Sequence, residues 1–121
     1  MRDAHAVTVS LDSYLDYIRS SRGEFSACKE VFVATRTGWF SDRSAVYLAS
    51  GRPVVLQDTG FSDHLPCGEG LFAVRTVEAA AAAIEEVEGD YDRHSRRARE
   101  IAVDCLDVRV VLRRFLDGLG L

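Results

Sequence analysis

The sequence predicts an α/β domain in which helices alternate with short strands paired in parallel. Three observations lead there. Pro53 to Gln57 is a near-continuous apolar run, the mark of a strand buried on both faces of a sheet. Apolar residues recur at helical spacing both before and after it. Glycine and proline separate these segments, so the order reads helix, strand, helix, strand, helix, strand, helices. Right-handed parallel crossovers and a sheet of about three or four strands follow.

Element by element, Ala6-Val7-Thr8-Val9 alternates as a short strand. A helix follows, capped by Asp12 or Ser13, with Leu11, Tyr14, Leu15 and Ile18 on one face. Gly23 ends it, being free to take positive φ. Glu24 to Cys28 and Val31 to Thr35 are rich in β-branched and aromatic residues, so one or both are strands. A polar and aromatic loop from Thr37 to Ser44 opens a helix from about Asp42 to Ser50, apolar at Ala45, Leu48 and Ala49. Gly51 caps its end, and Pro53 forbids continuation. After the buried strand, Asp58-Thr59-Gly60 is a tight turn, Phe61 to Leu65 a short helix and Pro66 to Gly70 another turn. Leu71 to Val74 is a strand. A helix starting near Thr76 has Val77, Ala80, Ala81, Ile84 and Val87 as its inward stripe. Two more helices run from about Asp90 to Asp104, apolar at Tyr91, Ala98, Ile101 and Ala102, and from about Asp107 to Leu116. The last carries Val108, Val111, Leu112 and Phe115 and is ended by Gly118 and Gly120.

The 121 residues form a single domain, 1–121, large enough for its own core. A net charge of -4 argues against nucleic acid as a partner, since phosphate backbones are gripped by clustered positive charge. No apolar run approaches the roughly 18 residues of a membrane span. The charged start lacks a signal-peptide apolar segment, which makes cytoplasmic location the expectation. Cys28, Cys67 and Cys105 have neither disulfide nor zinc spacing and read as reduced, mostly buried thiols. His94, among Arg93, Arg96, Arg97 and Arg99, reads as part of a solvated helix face. His64 lies near a candidate loop but has no evident nucleophile or metal partner, and no metal site is expected.

Ligands of parallel sheets sit beyond the carboxyl ends of the strands. Two loops qualify. In the first, Gly38, Trp39, Phe40, Ser41, Asp42, Arg43 and Ser44 lead into a helix N-terminus, where unpaired amides and the helix dipole favour phosphate. Ser41 and Ser44 add hydroxyls, Arg43 adds charge, and Trp39 and Phe40 offer rings for a base or sugar. The plainer reading is a helix capped by Ser41 or Asp42, with Arg43 in solvent and the aromatics packed on the core. In the second loop, Asp58, Thr59, Gly60 and Phe61 could bond sugar hydroxyls or form an ordinary turn.

Taken in order, these loops carry a resemblance. The stretch TRTGWFSDRSAVYLASGRPVVLQDTGFSDHLPCGEGLFAV, residues 35–74, resembles the C-terminal domain of GT-B glycosyltransferases. It is most similar to a bacterial glycosyltransferase-like group with GWFSDRSxxYLAxGRPVVxQDTGF followed by LPxGEGLxAF. The likeness runs from about Leu11 to Leu116. It implies a partial Rossmann-like, three-layer domain, the later part of a nucleotide-sugar-binding domain. It also implies a nucleotide-diphosphate sugar as donor substrate, with no separate cofactor, its phosphates and sugar surrounded by residues 39–44 and the turn at residues 58–61 near the transferred sugar.

Two departures from the family stand out. Many retaining members have two glutamates with seven residues between them; Gly38 and Val46 occupy those positions here. The family's basic pair and its acceptor-binding domain lie upstream of anything in this chain. The isolated chain is therefore expected not to complete transfer. The first reading is the donor-binding part of a glycosyltransferase. The second takes Met1 as the start of a small protein, a non-catalytic remnant that binds a ligand or a partner. The family's further strands would pack beside Glu24 to Thr35. That edge is expected to be covered by Ala6 to Val9, by a homodimer partner or by another chain.

Overall fold

The computed structural model describes residues 11–28 and 30–120. In chain order the elements are α1 (Leu11–Ser20), β1 (Glu24–Ser26), α2 (Glu30–Ala34), α3 (Asp42–Ala49), β2 (Val54–Gln57), a 3-10 turn (Phe61–Asp63), β3 (Leu71–Val74), α4 (Val77–Gly89), α5 (Tyr91–Ile101), a π-helical stretch (Ala102–Leu106) and α6 (Val108–Gly118). The three strands form one parallel sheet in the order β1-β2-β3. Glu24 pairs with Val54, and Val54 with Leu71, so the strand starts lie level. This is an α/β, three-layer domain with a small open sheet, a partial Rossmann-like arrangement.

Alternation along the strands divides the core in two. Val54, Leu56 and Leu71 face one side, where Ile18 of α1, Tyr47 and Leu48 of α3, Phe61, and Ala98 and Ile101 of α5 close over them. Val55, Phe72 and Val74 face the other, under Ala80, Ala83 and Val87 of α4. Burying each of these larger apolar side chains contributes about 1.5–3 kcal/mol. The central strand β2 is buried at Val54, Val55 and Leu56, as the apolar run of the sequence requires.

Several local expectations change. α1 starts at Leu11, ahead of Asp12 and Ser13, which lie inside the helix instead of capping it. Gly23 does not have positive φ. Glycine fits there because a Cβ would stand 2.5 Å from the Pro53 carbonyl oxygen, which accepts the Glu24 amide as β1 begins. Residues 30–34 are helix, although the composition favours strand. The turn closes when the Thr35 amide and hydroxyl both bond the Val31 carbonyl, and Arg36 then takes φ 49. On α4 the inward residues are Ala80, Ala83 and Val87, while Val77, Ala81 and Ile84 are exposed.

His94 is fully buried, not solvated. Its Nδ1 accepts the Gly70 amide at 2.9 Å, so the ring fastens α5 to the start of β3. The helix expected from Asp90 to Asp104 keeps its α-form only to Ile101 and widens into the π-helical stretch. Of the cysteines, Cys67 is exposed, while Cys28 and Cys105 are half-buried. None of the residues of α6 is buried. The expected strand at Ala6 to Val9 lies outside the described residues.

Candidate functional site

α3 runs antiparallel to the sheet, so its N-terminus meets the carboxyl ends of β1 and β2. Ser41 is the N-cap, its hydroxyl accepting the Ser44 amide at 3.2 Å. At any helix start the first-turn amides lack intrahelical acceptors; here they belong to Asp42 and Arg43. The helix start borders a cleft of about 420 Å³, lined by Ser26, Ala27 and Cys28 from the end of β1, by Trp39, Ser41, Arg43 and Ser44, and by Leu56. Trp39, half-exposed, forms its lip. That volume suits a small-molecule group.

The loop before α3 keeps its path through bonds to the turn after β2. The Gly38 amide donates to the Thr59 carbonyl at 2.8 Å, and the Thr59 hydroxyl donates to the Trp39 carbonyl at 2.6 Å. Gly60 passes under this loop at φ 103, where a Cβ would meet the Arg36 carbonyl oxygen at 3.3 Å. Phe40 and Phe61 pack edge to face with centroids 5.4 Å apart and join the core. The sequence-predicted residues thus divide by role. Trp39, Ser41, Arg43 and Ser44 line the cleft, and Asp42 is exposed at its helix start. Gly38, Phe40, Thr59, Gly60 and Phe61 hold the two loops together.

Asp58 is nearly buried and committed to its own turn. Its carboxylate accepts the Gly60 amide at 2.8 Å and the Ser62 hydroxyl at 2.9 Å, with Arg75 at 3.6 Å. Burial pushes its pKa up, but the bonds from Gly60 and Ser62 and the charge of Arg36 outweigh burial and leave it below the ordinary value.

Glu24, which sequence reasoning passed over, is central to the electrostatics. Glu24 and Ser26 alternate onto the same face of β1, toward α3. One Glu24 carboxylate oxygen accepts from Arg43 Nε at 2.5 Å, and the other accepts from the buried Ser44 hydroxyl. A second guanidinium nitrogen lies 3.4 Å from the Ser26 hydroxyl. The Glu24 bond raises the Arg43 pKa and keeps that side chain firmly charged. Glu24 also balances that charge, which leaves the helix-start amides as the cleft's main attraction for an anion. A carboxylate at an inward-facing strand position needs a partner when buried, but a strand of three residues does not disclose from sequence that Glu24 faces inward.

The Cys28 thiol also borders the cleft. Its pKa is raised, first by burial and then by the charge of Glu24, with Arg43 opposing. It is therefore a poor thiolate at neutral pH. Its amide donates to the Gln57 side chain at 3.0 Å, which fixes the chain leaving β1. Among the described residues no group of three His, Cys, Asp or Glu could hold a metal ion. Among the same residues no helix is long and apolar enough to cross a membrane.

Fold and site together define an α/β domain with a helix-start cleft at its strand tips. Compared with family models, curated proteins and solved structures, the chain matches none.

Proposed function

We propose that the cleft at the start of α3 binds the diphosphate of a nucleotide sugar, and that the chain is the donor-binding part of a GT-B-type glycosyltransferase. The observation that carries this reading is that one cleft is lined by Trp39, Arg43 and the residues Ser41 and Ser44 at the start of α3. Amides and dipole hold an anion, a guanidinium adds charge-assisted bonds, and an exposed indole stacks on a sugar or base. The resemblance of residues 35–74 to the donor-binding segment of such enzymes supports the same reading. Transfer also needs an acceptor site and stabilisation of the leaving diphosphate, so turnover requires a further domain or chain.

Calorimetric titration with uridine, guanosine and adenosine diphosphates tests this. Binding of at least one is expected. Trp39→Ala and Arg43→Ala should each weaken it by about tenfold or more, given about 1.5–3 kcal/mol for a charged hydrogen bond. Trp39→Ala leaves the Glu24 cluster intact, so its effect separates lost contact from lost stability. Unchanged affinity in both variants contradicts the assignment.

One observation favours the second reading, a non-catalytic module. Arg43, Ser44, Asp58 and Thr59 already have partners within the chain. On that reading they hold a scaffold, and none of the three diphosphates binds.

A further inference from the structure

Positive charge gathers at the end of α3 opposite the cleft. α3 starts at the cleft and ends at Ala49, where α1 and α5 meet it around a hollow of about 600 Å³. Arg19 of α1, Arg96 and Arg99 of α5, and Ser50 and Ser95 line this hollow. Among the described residues, Glu100 is the one acidic side chain in the lining. The chain as a whole has a net charge of -4, so this patch runs against its overall sign.

The chain leaves these guanidinium groups poorly balanced. Glu100 is engaged by Arg97 at 3.3 Å, outside the lining. Arg19 approaches Asp16 only to 3.8 Å, with side chains 63% and 74% exposed, so that pair contributes little. Arg96 has no hydrogen bond or ion pair among the described residues. Arg99 donates to the Ala49 carbonyl, and the Ser95 hydroxyl donates to the Gly51 carbonyl at 2.6 Å. These two bonds satisfy carbonyls at the end of α3. Arg96 and Arg99 stand three positions apart on one helix, a like-charged spacing that destabilises a helix by itself.

The chemistry of the lining selects the ligand. A guanidinium matches a carboxylate through two parallel N–H bonds. Phosphate suits the hollow less well. It concentrates its charge in one group, and here that group would face the negative end of the α3 dipole. Carboxylates spread along a short carbon frame set one charge against each guanidinium. Neither an aromatic ring nor a large apolar side chain lines the hollow, so it has nothing to stack on a nucleobase or to insert into a lipid surface. We propose that Arg19, Arg96 and Arg99 bind a small di- or tricarboxylate, with the Ser50 hydroxyl beside it. The length of α3 separates this site from the cleft, and the proposal does not depend on what the cleft binds.

Residue-resolved NMR of the full chain, titrated with citrate at constant ionic strength, tests this. Saturable shifts are expected at the Nε–H groups of Arg96 and Arg99 and at the Ser50 amide. Inorganic phosphate should bind more weakly than citrate. Arg96→Gln should weaken citrate about tenfold, the scale of one charge-assisted bond, with unchanged thermal unfolding because Arg96 has no partner to lose. Arg114→Gln, an exposed arginine outside the hollow, should leave the affinity as it was. Shifts that grow without saturating overturn the proposal, as do equal losses in the two variants or phosphate binding as tightly as citrate. Binding to phosphatidylcholine vesicles that contain phosphatidic acid, without saturable citrate binding, also overturns it and marks a membrane-facing patch instead.

Discussion

Arg43 donates its Nε–H to the Glu24 carboxylate at 2.5 Å, with the Glu24 side chain 5% exposed and that of Arg43 54% exposed. The pair joins β1 to the first turn of α3 at the edge of the cleft. The buried member cannot find water if its partner leaves, whereas the exposed member can. Arg43→Ala should therefore cost about 1–3 kcal/mol, the range for a buried acceptor left unsatisfied. Adding Glu24→Gln should return part of that loss. Urea unfolding of the two single variants and the double variant measures this directly.

The same pair sets an opposition between stability and binding. Glu24→Gln removes the charge that balances Arg43. It should lower the midpoint of thermal unfolding, yet tighten nucleotide-diphosphate binding by a few-fold. A variant that loses both stability and affinity would mean that Glu24 acts only by holding Arg43 in place.

Asp58 should govern part of the acid limb of stability. Its folded pKa lies below the ordinary value, so its contribution is complete above about pH 4 and is lost as pH falls through the folded value. Asp58→Asn should be less stable than wild type near neutrality. The gap should narrow below about pH 4, because only the wild type loses this contribution there. Unfolding free energies measured by urea from about pH 7 to pH 3 provide the check. A gap that stays constant with pH would deny Asp58 this role.

Gly70→Ala should be among the most damaging small substitutions. The residue has φ 76, and a Cβ would stand 2.6 Å from the Ala98 amide nitrogen. Strain and overpacking together put the loss at about 2–4 kcal/mol. His94→Ala should cost about 1–3 kcal/mol, by opening a cavity and orphaning the Gly70 amide. Thermal unfolding ranks the two.

Ser41→Ala and Thr76→Ala remove equivalent caps, since each hydroxyl accepts a first-turn amide, at 3.2 and 3.0 Å. Each should cost about 1 kcal/mol. Only Ser41→Ala should alter nucleotide affinity, because Ser41 lines the cleft and Thr76 does not. Equal loss of affinity in both would trace the effect to stability alone.

How far the sequence discloses this molecule depends on how local the cause is. β2 was legible because a run buried on both faces leaves a continuous apolar signature in one short window. The cap at Ser41 and the left-handed Gly51 and Gly60 are equally local, and the turn chemistry names them. Glu24 was not, since a three-residue strand is too short to show which side chains face inward. Phe40 and Phe61 carry no mark telling a stacking ring from a core ring; only their mutual contact decides. His94 was obscured by its arginine neighbours, although it shares a helix face with Ala98 and Ile101, four and seven positions on. The alanine run of α4 offers little hydrophobic contrast, so the phase of its inward stripe was ambiguous. The stripe of α6 was plain in the sequence, but a stripe does not say whether its own domain or another chain covers it.

The most direct measurement of the central claim is residue-resolved amide NMR of the full chain during titration with a nucleoside diphosphate. The largest shifts are expected at the backbone amides of Asp42, Arg43 and Ser44 and at the Trp39 indole. The Val108 to Gly118 helix should stay unmoved. Silence at those amides under saturating nucleotide, or shifts gathered anywhere else, would contradict it.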